Sequence, residues 1–337
     1  MADDLFGSFF QATVPPLPKS LTFAGKTAIV TGATAGLGNA AALQIAQHNV
    51  STLILGVRSL SKGETTKAEI LADPVVAALP TKPSILLYEL DLARPSSVAS
   101  FASKILAEVP TLDILLLNAA LAISTFERSP ETENELMTQV NYLSNAYLSV
   151  RLFPLLHSTA QKAGTKSYLT IVGSRLQDTT DFVKNPVPES TPILEYLNNP
   201  KKFKLTTRYS DTKVLVAMFV RELAKRVDPS VVTVNTVCPG LVSTGINSNQ
   251  PAWLRAVAGT IMALRARTPE VGARTLVNAV SAGPESHGEH LGDYKIWNNK
   301  FLNTQNGTSM VTRLWKETLA AIEKEAPGSV QAAGLEA

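Results

Sequence analysis

One segment near the N-terminus restricts the fold more than any other: a short apolar run ends in a glycine-rich turn that leads into a helix. The run covers residues 27–30, the turn Thr-Gly-Ala-Thr-Ala-Gly-Leu-Gly covers residues 31–38, and an alanine-rich helix is predicted over residues 39–49. Small turn residues let the backbone approach a pyrophosphate, and the start of a helix offers unpaired N–H groups and a favourable dipole. This setting predicts a dinucleotide site, whereas a glycine-rich turn alone would also fit a tight loop.

Apolar runs without polar alternation recur along the chain and are separated by helical segments, which is typical of a parallel sheet covered on both faces. The sequence therefore predicts one doubly wound, Rossmann-type α/β domain of about seven strands over residues 26–300. Residues 1–25 are predicted to form an N-terminal lead-in, and residues 301–337 a C-terminal helix and tail. The predicted strands cover residues 27–30, 52–57, 85–90, 114–117, 168–172, 231–235 and 293–297.

The composition limits the classes of function. A chain of 337 residues with 45% hydrophobic side chains can bury a full core. The 31 Lys and Arg residues nearly balance the 28 Asp and Glu residues, so the net charge is too small to suggest a nucleic-acid partner. The single cysteine, Cys238, and four histidines without ligand spacing predict no disulfide and no metal site. Residues 27–57 lack charges but contain Gly, Asn and Gln, so stable membrane insertion is not expected, and the acidic start Met1–Asp4 favours a cytoplasmic protein over a secreted one.

The end of the second apolar run indicates which dinucleotide is bound. A carboxylate commonly follows this strand when the ligand is NAD, because it accepts hydrogen bonds from the adenosine ribose. Here the run ends Gly56-Val57-Arg58. A guanidinium at this position suits the 2′-phosphate of NADP(H), while a solvated loop cation is the alternative interpretation.

Seven motifs occur in the order typical of one enzyme family. A single Tyr-x-x-x-Lys is a weak signal, but seven matches in order resemble the short-chain dehydrogenase/reductase family over about residues 25–300. The motifs are Thr31-Gly32-x-x-x-Gly36-x-Gly38, Asp91-Leu92, Asn118-Ala119-Ala120, Asn141, Ser174, Tyr209-x-x-x-Lys213 and Pro239-Gly240.

The tyrosine and lysine motif carries the acid–base chemistry that the resemblance implies. Tyr209 and Lys213 share one helix face, so a nearby ammonium and an oxidised nicotinamide are expected to lower the tyrosine pKa toward working pH. Such a tyrosine can give a proton to a carbonyl oxygen or take one in the reverse reaction. Without the other motifs, a surface aromatic and a solvated cation would explain the pair.

Two further residues complete the expected catalytic set. Ser174 follows a predicted strand, where ligands bind in open α/β sheets, and its hydroxyl is expected to hydrogen-bond the substrate carbonyl. An ordinary strand-end turn is the alternative. Asn141 resembles the family asparagine that holds a water in the proton relay, and a local capping role is its alternative.

The resemblance also implies a set of cofactor contacts. Asp91 is expected beside the adenine, unless it only caps the following helix, and Lys213 on the nicotinamide ribose. Val242 and Thr244 are expected at the carboxamide, in the loop after Cys238, which is interpreted as a small core residue. The expected contacts are Gly32, Thr34, Gly36, Leu37, Gly38, Arg58, Asp91, Leu92, Asn118, Ala119, Tyr209, Lys213, Val242 and Thr244.

Two segments are predicted to shape the substrate pocket. Residues 175–208 are longer than the equivalent stretch in many family members, and inserts here shape the pocket in related carbonyl reductases and retinol dehydrogenases. Such inserts can interfere with dimerisation, so both a homodimer and a monomer remain open. Residues 245–268 contain an apolar run over residues 253–264, which predicts a hydrophobic small-molecule substrate, although packing on the core or on a membrane would also explain it.

The expected activity is NADPH-dependent interconversion of a ketone or aldehyde with an alcohol on a hydrophobic small molecule. The Val57-Arg58-Ser59 pattern and the long C-terminal extension resemble fungal members of the family that act in secondary metabolism, and the insert resembles retinol-dehydrogenase-like members. Two alternatives are a non-redox cyclase or isomerase and a cofactor-sensing binding protein. Sensors in the family typically lose the tyrosine or lysine, so the complete set favours an enzyme.

Overall fold

The unalternating apolar runs form the strands of one sheet. The computed structural model describes residues 11–243 and 265–335. The strands are β1 (Thr27–Thr31), β2 (Thr52–Val57), β3 (Ser84–Glu89), β4 (Ile114–Leu117), β5 (Ser167–Val172), β6 (Val232–Cys238), β7 (His290–Gly292) and β8 (Lys295–Ile296). Within the described residues their order is β3-β2-β1-β4-β5-β6-β7-β8, and each neighbouring pair is parallel except β7 and β8.

Helices connect most of the parallel strands. They are α1 (Gly36–Gln47), α2 (Leu60–Ala72), α3 (Pro74–Ala77), α4 (Pro95–Glu108), α5 (Leu136–Thr138), α6 (Ser144–Ala163), α7 (Ile193–Asn198), α8 (Arg208–Ala224), α9 (Pro269–Ala279), α10 (Gln305–Glu325) and α11 (Ser329–Ala332). The π-helical segment Gln139–Leu143 joins α5 to α6. In the part of the chain that the structure describes, no helix is both long and apolar enough to cross a membrane.

Two hydrophobic cores lie on opposite faces of the sheet. Successive strand residues point to opposite faces, so Ala28 and Val30 pack in one core with residues of α1 and α9, whereas Ile29 packs in the other. That second core contains residues of α4, α6, α8 and α10. Strands buried on both faces explain the apolar runs, and the predicted doubly wound Rossmann-type α/β fold is confirmed.

The predicted strand over residues 293–297 is wrong in its bounds. β7 ends at Gly292, and β8 returns antiparallel to it, with Leu291 opposite Ile296. Between the two strands, Asp293 and Tyr294 adopt left-handed backbone conformations with φ of 52° and 62°. Glycine or asparagine is usual at turn positions with positive φ, but Asp293 and Tyr294 occupy them here, so the prediction merged the turn with β8.

The C-terminal segment packs into the same core as the sheet. Met310, Leu314 and Trp315 of α10 are buried, and Trp315 stacks on Phe219 of α8 with ring centroids 5.6 Å apart. The described part of the lead-in also contacts the domain, since Val14 is buried. The C-terminal segment therefore contributes to the packing that holds α8 against the sheet.

Candidate active site

The turn between β1 and α1 has the shape that a pyrophosphate requires. Gly32 and Gly36 both adopt positive φ. A Cβ on Gly38 would overlap the carbonyl oxygen of Gly32 and lie 2.5 Å from Nδ2 of Asn118, so this position admits no side chain. The residue before α1, Ala35, has no polar side chain to cap the helix, and its first N–H groups remain for a ligand. The turn, which also contains the half-buried Thr34, thus fits a dinucleotide phosphate.

Asn118 locks the end of β4 against this turn. Its Nδ2 donates to the Thr31 carbonyl oxygen at 2.9 Å. The Thr31 hydroxyl in turn accepts from the backbone N–H groups of Asn118 and Ala119, at 3.0 and 3.1 Å. These bonds join the ends of β1 and β4, while the contact of Asn118 with the ribose stays a prediction. Thr31, the shared partner of these bonds, was not among the predicted site residues.

The residues predicted at the adenosine half lie at the ends of β2 and β3. Arg58 is exposed directly after β2, and among the described residues no carboxylate pairs with it. Asp91 accepts from the backbone N–H of Ala93 at 3.0 Å, so it caps the turn before α4, whose N-cap is Arg94. The Leu92 side chain is buried in the core, which leaves only its backbone for a cofactor contact.

The predicted catalytic pair is brought together on α8. Tyr209 lies in the first turn, and Nζ of Lys213, one turn later, is 5.5 Å from the Tyr209 ring centroid. Lys213 is buried, and Nζ donates to the Val172 carbonyl oxygen at 2.8 Å. This bond holds the lysine at the carboxyl end of β5, two residues before Ser174. The start of α8 and the end of β5 therefore lie next to each other.

The protein groups alone do not lower the pKa of Tyr209, and its predicted lowering by the ammonium together with an oxidised nicotinamide stays a prediction. Burial raises the pKa of Tyr209 above its ordinary value, because a phenolate there would lose its hydration. Burial also lowers the pKa of Lys213 to about 8, which weakens the ammonium that was expected to favour the phenolate. Without further positive charge, Tyr209 is therefore a proton donor at neutral pH.

Ser174 begins a short 3-10 turn, Arg175–Thr179. Its Oγ accepts from the backbone N–H of Leu176 at 3.2 Å, so the residue is a turn cap as the alternative interpretation held. That bond uses an oxygen lone pair and leaves the hydroxyl proton for a second partner. The position past β5 is compatible with both roles.

Asn141 is fully buried in the π-helical segment, and its side chain makes distant contacts rather than a local cap. Its Oδ1 accepts from the backbone N–H of Leu121 at 2.8 Å, and its Nδ2 donates to the Leu121 carbonyl oxygen at 2.9 Å and to the Thr212 hydroxyl at 3.1 Å. The side chain thereby ties the chain after β4 to α8, next to Lys213. Because its amide is occupied, the predicted water contact would fall to the backbone, and it stays a prediction.

The loop after β6 lies beside the phosphate turn. Val242 is buried, and Val242 and Leu37 approach the same face of Gly272, at 2.7 and 2.9 Å from where a Cβ would stand. These contacts bring together Leu37 of the phosphate turn and Val242 of the loop that was predicted at the carboxamide. Thr244 and residues 245–264 lie outside the described residues, so their predicted roles remain predictions.

The insert before Tyr209 is anchored by a buried arginine that the sequence analysis missed. Arg208 is fully buried and donates to the carbonyl oxygens of Leu197 at 2.7 Å and Lys202 at 3.1 Å. Its guanidinium also lies 3.6 Å from the Glu135 carboxylate and 4.0 Å from that of Asp211. An arginine in a polar stretch is usually exposed, so the sequence held no signal of this role.

These features define the class of protein: a parallel α/β sheet with a dinucleotide turn at one strand end and a Tyr–Lys pair beside it is the scaffold of a nicotinamide-dependent oxidoreductase. The short chain dehydrogenase family profile matches residues 26–165 and 198–255. The chain belongs to the short-chain dehydrogenase/reductase family. Ser174 falls in the stretch between the two matched segments.

Individual relatives agree with this assignment. The chain is 40% identical over 319 residues to the short chain dehydrogenase yanD of Aspergillus niger, covering 94% of this chain and 96% of that protein. Its fold resembles the 3-oxoacyl (acyl-carrier-protein) reductase of Agrobacterium tumefaciens with NADP bound, at a TM-score of 0.59 and 21% identity over 81% of this chain and 94% of that one. It also resembles the 3-ketoacyl-(acyl-carrier-protein) reductase of Brucella melitensis complexed with NADH, at a TM-score of 0.58 and 18% identity over 80% and 97%.

Proposed function

We propose that the protein is an NADP(H)-dependent oxidoreductase that interconverts a ketone or aldehyde with an alcohol on a hydrophobic small molecule, an intermediate of secondary metabolism. One observation carries the proposal. The bond from Lys213 to Val172 brings Tyr209 and Lys213 to the carboxyl end of β5, and the dinucleotide turn lies at the carboxyl end of β1 in the same sheet. A sensor would not need this buried pair.

The residues divide the chemistry of carbonyl reduction among them. The nicotinamide supplies the hydride to the carbonyl carbon when it is bound. Ser174 donates its hydroxyl proton in a hydrogen bond to the carbonyl oxygen, and Tyr209, protonated at neutral pH because burial raises its pKa, transfers its proton to that oxygen. Lys213 uses one N–H on Val172 and keeps two for the ribose hydroxyls. The alcohol that results carries one hydride and one proton.

The preference for NADP(H) rests on Arg58. Its guanidinium is exposed at the end of β2, and no carboxylate of the described residues competes for it. A phosphate gains charge-assisted, bidentate hydrogen bonds from such a group. We expect Arg58→Ala to weaken NADPH binding about tenfold or more and to leave NADH binding nearly unchanged. Lys104→Ala, which removes another exposed cation on α4, should change neither affinity.

The hydrophobic character of the substrate is supported by apolar side chains beside the site. Leu176, whose backbone contacts Ser174, is 51% exposed, and Leu241 in the loop after β6 is 38% exposed. Exposed leucines in the turn of Ser174 and in the loop after β6 favour an apolar ligand over a charged one. A cytoplasmic location and a monomer or homodimer complete the proposal.

The direct test is titration with NADPH and NADH followed by a panel of hydrophobic ketones and aldehydes, with NADPH absorbance as the readout. Tight NADPH binding and loss of absorbance on a member of the panel would support the proposal. NADPH binding together with conversion of a ligand that leaves the absorbance constant would support the non-redox alternative instead. Failure of NADPH to bind would contradict the proposal.

A further inference from the structure

A buried ion cluster lies at the same sheet edge as the candidate catalytic residues but is not part of them. Asp293, in the turn between β7 and β8, pairs through one carboxylate oxygen with Arg175 and through the other with Arg267, the latter at 2.6 Å. The side chains are 9%, 18% and 7% exposed, respectively. One carboxylate thus compensates two largely desolvated guanidinium groups, each on a different segment.

Arg175 connects the cluster to the turn that begins at Ser174. Arg175 directly follows Ser174, and its backbone N–H donates to Sγ of Cys238 at 3.3 Å. Its guanidinium lies over the Trp297 ring at 4.7 Å, and Trp297 Nε1 donates to Asp178 in the same 3-10 turn at 2.7 Å. The turn that begins at Ser174 is therefore held from two sides.

Arg267 connects the cluster to the loop after β6. Its Nη1 donates to the Pro239 carbonyl oxygen at 3.0 Å, and its backbone pairs with Leu241 and Ser243, at 2.9 and 3.0 Å. Its Nη2 also donates to the Ala12 carbonyl oxygen at 2.5 Å. Arg267 consequently bonds both the loop and the lead-in.

Gln11 of the lead-in closes on the same loop. Its Oε1 accepts from the backbone N–H of Leu241 at 2.6 Å, and its Nε2 donates to the carbonyl oxygens of Leu241 at 3.0 Å and Arg265 at 2.8 Å. One side chain thus satisfies both backbone groups of Leu241 and reaches the segment that precedes Arg267.

We propose that Gln11, Arg175, Arg267 and Asp293, which we term the clasp, are positioning residues that hold residues 239–243 in place and tie that loop to the turn of Ser174. The loop packs against Leu37 of the dinucleotide turn through Val242 and Gly272, so its placement bears on the cofactor as well as on the substrate. The part concerning NADPH affinity rests on the proposed function, whereas the part concerning the loop itself does not.

The first test uses Gln11→Ala, with Gln305→Ala at the exposed start of α10 as the matched control. Loss of three hydrogen bonds should raise the rate of tryptic cleavage after Arg265 roughly tenfold in the protein without nucleotide. NADPH affinity should fall by a similar factor, while the midpoint of thermal unfolding stays close to that of the wild type. Cleavage and affinity that match the control would overturn the proposal.

The second test asks whether the contacts of Asp293 and those of Gln11 are energetically coupled. Asp293→Asn should raise the Kd of NADPH about tenfold and lower kcat. In the double variant with Gln11→Ala, the increase in Kd should be smaller than the product of the two single-variant increases. Independent effects would refute the link between the loop and the Ser174 turn. If Asp293→Asn does not fold, Arg267→Lys, which keeps the charge and loses the fork, takes its place in the cycle.

The cleavage assay separates failure of the clasp from failure of the proposed function. If neither the wild-type protein nor Gln11→Ala binds NADPH, the cofactor assignment is wrong. The ratio of their cleavage rates still measures whether Gln11 holds the loop. If NADPH binds both proteins equally and cleavage rates are equal, the clasp alone is refuted.

Discussion

Replacement of Arg208 by methionine should destabilise the fold more than any exposed charge substitution. The side chain is 1% exposed, donates to Leu197 and Lys202 of the insert, and faces the buried carboxylate of Glu135. Methionine fills much of the volume and removes the charge and both hydrogen bonds. The change therefore isolates the polar contribution from the packing.

The contacts set the size of the effect. Breaking a buried ion pair costs about 3–5 kcal/mol in general, mainly because the remaining charge is left uncompensated. Glu135 keeps three donors here: the backbone N–H groups of Met137 and Thr138, at 3.1 and 2.8 Å, and the Thr138 hydroxyl at 2.7 Å. We therefore expect the lower end, about 3 kcal/mol, which corresponds to a decrease in Tm of about 4 °C for a chain of this length.

The assay is urea unfolding followed by far-UV circular dichroism, with thermal unfolding as a second measure. The control is Arg226→Met, since Arg226 pairs with Glu222 but is 26% exposed and should cost about 1 kcal/mol or less. A loss below about 1 kcal/mol for Arg208→Met would refute the reasoning.

Two further predictions concern the phosphate turn and the pH dependence of stability. Gly38→Ala should abolish measurable dinucleotide binding in a titration, because its Cβ would overlap the Gly32 carbonyl oxygen; wild-type affinity would contradict the assigned turn. Burial raises the pKa of Asp211 to about 6, so the folded state binds a proton that the unfolded state releases. The stability that this group contributes therefore falls as pH rises from about 4 to about 6, by about 3 kcal/mol. Asp211→Asn should flatten that part of the curve of unfolding free energy against pH, and an unchanged slope would assign the dependence to other groups.

The elements predicted best are those whose local sequence determines their environment. Strands buried on both faces must be apolar throughout, so β1, β2 and β4 stand out without tertiary information. The dinucleotide turn is equally local, because small residues are required wherever backbone approaches backbone, as Gly38 approaches Gly32. Both could be predicted because the physical requirement falls on consecutive residues.

The features missed depend on residues far apart in the chain. Gln11 bonds Leu241 across 230 positions, and Glu135 meets Arg208 only after α8 and the insert have packed. Neither residue belongs to a local pattern that could distinguish it from a solvated side chain. Their roles follow from the tertiary structure alone.

The pKa of Tyr209 in the protein without cofactor depends on more than sequence spacing. The spacing of Tyr209 and Lys213 correctly predicted a shared helix face, but the sign of the shift depends on the balance between desolvation and charge. Burial dominates that balance, and it also lowers the pKa of Lys213. Distances and burial, which the sequence does not contain, decide the outcome.

The most direct test of the central claim is isotope transfer from NADPH deuterated at the reactive C4 position to the product, followed by mass spectrometry. With a carbonyl substrate from the panel, the wild-type protein should place deuterium on the carbinol carbon. Tyr209→Phe should bind the nucleotide but form little labelled alcohol, because the proton donor is missing. Product that forms without deuterium, or equal labelling by Tyr209→Phe, would contradict a hydride-transfer enzyme in which Tyr209 supplies the proton.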